Sequence, residues 1–81
     1  MTTYIAKEIL SEVLVFKTNI QSDEELERVR DVLTLEKRIT RWSIDRNDVD
    51  KVLRVESELL HPLTVMQLLH AAGFLCEELP D

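Results

Sequence analysis

Residues 13–25 read VLVFKTNIQSDEE. In the first part Leu14, Phe16, Thr18 and Ile20 alternate with Val15, Lys17 and Asn19. That period of two predicts a strand over 13–20. The second part changes period. Ser22 followed three residues later by Glu25 forms a capping box, and Asp23 and Glu24 put negative charge in a first helical turn. Leu26, Val29, Val32 and Leu33 then recur at helical spacing, and Glu24 and Arg28 stand as a favourable i,i+4 pair. The spacing predicts a helix from Asp23 to Leu35 or Lys37.

Working outward, Ile39 to Asp45 sets Trp42 and Ile44 against Arg41, Ser43 and Asp45, a second strand. Arg46-Asn-Asp48 has the composition of a turn, and Lys51 to Glu56 reads as a third strand with Leu53 and Val55 on one side. The short link favours an antiparallel hairpin. Pro62 suits the first turn of a second helix, whose apolar stripe is Val65, Leu68, Leu69 and Ala72. Gly73 supplies a left-handed stop, and Phe74 to Leu79 is a short last strand closed by Pro80. Strand, helix, strand, strand, helix, strand predicts an α+β, ferredoxin-like βαββαβ sandwich. Its four-stranded antiparallel sheet carries both helices on one face, in the order 4-1-3-2.

Composition narrows the function. A chain of 81 residues with 44% hydrophobic content is one domain with one small core. We divide it into an N-terminal extension, residues 1–12, and a single domain, residues 13–81. With Tyr4, Ile5, Ile9 and Leu10 the extension suits a short helix or an extended arm. No cationic segment precedes an apolar run, and the longest fully apolar run, Val13 to Phe16, is far too short to span a bilayer. Cys76 is the only cysteine, so there is no disulfide framework, and the expected setting is cytoplasmic. Sixteen acidic residues against ten basic ones, with few aromatics, argue against nucleic acid, whose phosphates are met by clustered Lys and Arg. We expect neither nucleic acid nor membrane as a partner.

Several stretches together resemble the heavy-metal-associated domain, the family of copper chaperones and of the N-terminal domains of metal-transporting ATPases. They are Val15-Phe-Lys-Thr-Asn-Ile20, Ile39 with Trp42-Ser-Ile44, Lys51-Val-Leu-Arg-Val-Glu56 and Ala71-Ala-Gly-Phe74. The resemblance covers roughly residues 13 to 79 and implies the same fold. The family's chemistry resides in a Met-x-Cys-x-x-Cys loop after the first strand, where soft Cu(I) takes two thiolates. In register the methionine falls on Ile20 and the cysteines on Ser22 and Glu25, so both thiolate ligands are replaced. The expectation is a scaffold without that metal site and with no cofactor. Oxygen ligands at Ser22, Asp23, Glu24 and Glu25 suit a harder cation, but the segment lacks EF-hand spacing, and the capping box explains the same residues. The family commonly has glycine near Arg38, so the helix exit is expected to differ.

Other reactive side chains read as structural. Cys76 shares strand parity with Phe74 and should be buried, as a small hydrophobe. His61 precedes Pro62 near a helix start, and His70 turns away from the apolar stripe; neither has an i,i+4 ligand partner. No Gly-x-Ser-x-Gly elbow, phosphate-cradling glycine loop or Cys-His arrangement is present. Acylphosphatases share the expected fold, yet no glycine-rich anion loop is found. We expect no enzyme activity.

The uncovered face of the sheet carries the remaining signal. Strand parity places Val13, Val15, Val52, Leu75 and Leu79 on it, with Arg41, Arg54, Glu56 and Glu77 around them. An open antiparallel face is normally polar, and an apolar patch with a polar rim marks an interaction site. The expected function is a non-catalytic protein-interaction module. It would meet a protein partner of unknown identity, or a second copy, through the open face. Two alternatives stand beside it: residues 1–12 fold back over the face, or metal trafficking persists through other ligands such as Cys76, His61 or His70.

Overall fold

A computed structural model describes residues 11–80. Four strands form one antiparallel sheet in the order β2-β3-β1-β4, with two helices inserted as β1-α1-β2-β3-α2-β4. The elements are β1 (Ser11–Thr18), α1 (Asp23–Leu33), β2 (Ile39–Asp45), β3 (Val52–Glu58), α2 (Pro62–Ala71) and β4 (Cys76–Glu78). This is the ferredoxin-like βαββαβ arrangement.

One face of the sheet makes the core. Leu14 and Phe16 of β1, Leu53 and Val55 of β3 and Cys76 of β4 pack against Val29 and Leu33 of α1 and Val65 and Leu69 of α2. Because strand side chains alternate, Val13, Val15 and Lys17 are turned to the opposite face. Burying one face and wetting the other fixes the strand register, since a one-residue slip would exchange them.

The element ends differ from the sequence expectation for local reasons. β1 begins at Ser11, because Ser11 and Glu12 pair with Glu58 and Ser57 of β3. Helix α1 stops at Leu33 rather than at 35 or 37. The Thr34 amide and hydroxyl both donate to the Arg30 carbonyl, at 3.0 and 2.6 Å, and the next residue, Leu35, is exposed. Lys51 has a left-handed φ of 46°, so β3 starts at Val52, and it runs on to Glu58 through the pairing with β1. Phe74 belongs to the end of α2, where its amide donates to the Leu69 carbonyl at 3.0 Å and Gly73 takes φ 93°. That leaves β4 only three residues. Arg38 does not take a left-handed φ; among the described residues the non-glycine positions that do are Lys51 and Leu59.

Of the expected N-terminal extension and cover, residues 1–12, Ser11 and Glu12 belong to β1 instead, and residues 1–10 lie outside the described residues. No helix among the described residues is long and apolar enough to cross a membrane.

Candidate functional site

The β1–α1 loop is where the resembling family holds its metal. Here the loop is closed by hydrogen bonds. Ser22 is the N-cap of α1, and its hydroxyl accepts from the Glu25 amide at 3.1 Å. The Glu25 carboxylate reaches back and accepts from the Ser22 amide at 3.0 Å and the Gln21 amide at 2.8 Å. These two backbone donors hold the Glu25 carboxyl below its ordinary range, Ser22 contributing most. Ile20, at the methionine position, is fully buried in the core.

A residue from the β2–β3 turn locks the loop from outside. The Arg46 guanidinium donates to Asp23 at 2.8 Å and to the Gln21 carbonyl at 3.1 Å. The Lys51 ammonium in turn donates to the Arg46 carbonyl at 2.8 Å. Ser22 and Glu25 are thus occupied in capping, and the nearby Asp23 carboxylate is paired with arginine. These donors do not fit a soft metal ion, which needs polarizable thiolates.

The remaining ligand types lie apart. Cys76 is 1% exposed, and burial, helped by the Glu77 charge, pushes its thiol up to about 12. So raised, the thiol is protonated at neutral pH, whereas the thiolate is the form that ligates or attacks. His61 is the N-cap of α2, its Nδ1 accepting from the Leu63 amide at 3.1 Å. His70 Nε2 lies 3.1 Å from the Cys76 carbonyl; a carbonyl only accepts, so this nitrogen carries the proton. His70 therefore ties the end of α2 to β4. Among the described residues, no three His, Cys, Asp or Glu side chains gather as a metal site.

Arg28, expected beside Glu24, goes elsewhere. Its guanidinium donates to the Ala72 carbonyl at 2.5 Å and lies 4.8 Å from the centre of the Phe74 ring. It joins α1 to the exit of α2. Neither this contact nor that of Arg46 has a local sequence signal.

The open face is arranged in cross-strand rows. Arg41, Glu56 and Val13 form one row, and Ser43, Arg54 and Val15 the next. Leu79 continues the second row, its amide donating to the Val15 carbonyl at 2.9 Å. Val13, Val15 and Leu79 are therefore neighbours. Lys17 paired with Glu77 forms a charged row beyond them. Leu75, 64% exposed, lies past that row, where its amide donates to the Asn19 side chain at 3.0 Å. Val52 is only 8% exposed and presents little surface, while Val13 is 54% exposed. The five apolar residues thus divide into a cluster of three, a buried neighbour and an outlier.

No protein-family model matches the chain, and no curated protein matches it.

Proposed function

We propose that this chain is a non-catalytic protein-interaction module, of the heavy-metal-associated type by its sequence resemblance, in which a self-sufficient helix cap stands in place of the thiolate site. It binds a protein surface, a second copy included, through the open face of the sheet. The observation that carries this reading is the adjacency of Val13, Val15 and Leu79 on that face, ringed by Arg41, Arg54 and Glu56. The closed β1–α1 loop supports the loss of metal chemistry. A reducing, cytoplasmic setting suits the single cysteine.

Native mass spectrometry of the reduced protein, with and without Cu(I) and Zn(II), tests the first half. The expected result is a spectrum unchanged by either ion; stoichiometric retention would return the chain to metal trafficking and direct attention to Cys76, His61 and His70. For the second half, Val15→Asp should abolish association through the open face while circular dichroism stays native. Association unaffected by that charge would remove the open face as the binding surface.

A further inference from the structure

Strand β2 is an edge of the sheet, and among the described residues no strand lies on its outer side. The direction of its backbone groups follows from the other edge. The Leu79 amide donates to the Val15 carbonyl, so the backbone of Val15 points toward β4. Backbone direction alternates along a strand, so Leu14 and Phe16 point toward β3. They stand opposite Val55 and Leu53, which therefore point back at β1. Arg54 and Glu56 point the other way, into β2, where they meet Ser43 and Arg41. Trp42 and Ile44 are left with their N–H and C=O groups directed outward. The Glu58 amide, which donates to the Arg38 carbonyl at 3.1 Å, fits the same alternation.

An antiparallel strand added to this edge must set outward-pointing residues opposite one another. The segment Arg41-Trp-Ser-Ile-Asp45 does this with its own copy. Pairing about Ser43 places Trp42 opposite Ile44 of the partner subunit, and both are outward-pointing. On the open face it places Arg41 opposite the partner's Asp45. These are the closer, non-hydrogen-bonded kind of pair, and symmetry makes each contact occur on both sides of the axis. Sliding the register by two residues keeps outward groups paired but sets Arg41 opposite the partner's Ser43 or the partner's Asn47, and both ion pairs vanish. Charge complementarity therefore selects a single register.

The side chains are free to take part. Arg41 is 77% exposed and reaches its own Glu56 only at 4.0 Å. Asp45 uses one oxygen on the Asn47 amide, at 3.1 Å, leaving the other. On the helix side, Trp42 borders a groove of about 250 Å³ shared with Leu33 and Ile39, and is half-buried as Ile44 is. An aromatic facing a β-branched side chain across the axis covers both. Edges that avoid pairing carry proline or like charges; Ile39–Asp45 has no proline, and its charges complement its own reverse.

We propose that the β2 edge is a self-association surface, on which a second copy pairs antiparallel through Arg41–Asp45 and joins the two sheets into one. This surface adjoins the open-face patch, sharing Arg41 with its rim, but does not depend on what that patch binds.

Sedimentation velocity of the full chain over a concentration series, with amide hydrogen exchange, tests it. The expected result is a concentration-dependent dimer in which the Trp42 and Ile44 amides slow as dimer forms. Arg41→Asp and Asp45→Arg should each weaken the dimer on the order of tenfold or more, because attraction becomes repulsion on both sides of the axis. Mixed in equal amounts, the two variants should recover dimer as a heterodimer, which a merely misfolded variant would not do. A chain that stays monomeric to about 1 mM, or a dimer indifferent to both charge variants, overturns the proposal. A dimer lost in Val15→Asp but kept in Arg41→Asp also overturns it, while leaving the open-face reading standing.

Discussion

The two faces of strand β1 show how one segment serves two purposes. Leu14, Phe16 and Thr18 face the helices and are buried, and the Thr18 hydroxyl donates to the Lys51 carbonyl at 2.6 Å. One residue away in each case, Val13, Val15 and Lys17 face the open side, and Val13 and Lys17 are exposed. Both rows contain apolar side chains, yet only one has helices over it. Hydrophobicity alone therefore does not separate a core residue from a docking residue. The layer that covers the sheet makes that separation, by removing water from one row and leaving it on the other.

Stability measurements on paired positions quantify this contrast. Phe16→Ala should have the largest effect, about 3–5 kcal/mol in denaturant unfolding, because a fully buried aromatic leaves a cavity between sheet and helices. In a small domain that loss approaches the whole stability. Ser22→Ala should cost about 1 kcal/mol, since it removes the N-cap of α1 without touching the core. The same cap should show in acid. Glu25 is lowered from its ordinary value of 4.5, so its stabilising effect is complete above that pH and fades as pH falls through the lowered folded value. The stability of Glu25→Gln, which removes the titrating group but leaves its backbone donors, should therefore fall less steeply through that range than that of the parent chain. Val13→Thr should change stability by no more than about 0.5 kcal/mol, as an exposed β-branched residue exchanged for another. A large loss there would mean the open face is covered within the chain itself.

Much of the fold is legible in the sequence because its signals are local. The Ser22/Glu25 box, Pro62 and Gly73 each act within a few residues and appear where expected, and the alternation from Val13 gives a strand, although it stops at Thr18 rather than Ile20. The strand ends were less legible. Ser11 and Glu12 join β1 only because β3 supplies partners, and Phe74 is drawn out of β4 by the exit of α2. At the candidate site, the capping box could be read directly. The Arg46 clamp could not, because its partners Asp23 and Gln21 lie 23 and 25 residues away in the chain. Parity assigned five apolar residues to the open face, but parity does not report area: Val52 is nearly buried and Leu75 is set apart by the Lys17–Glu77 row. Among the described residues, one buried side-chain group, the Ser57 hydroxyl, has no hydrogen-bond partner and no explanation.

The sequence by itself determined the order and type of the elements, the start of α1 with its Ser22/Glu25 capping box, and the left-handed exit at Gly73. These depend on side-chain chemistry and on spacing within a helical turn or a strand repeat, which the chain carries wherever it is. Tertiary structure alone decided which apolar residues share a row, that Arg28 and Arg46 bridge distant elements, and that the outward backbone groups of β2 belong to Trp42 and Ile44. Those facts arise from pairing between strands and from packing between layers, where contacts form between residues that no local pattern relates.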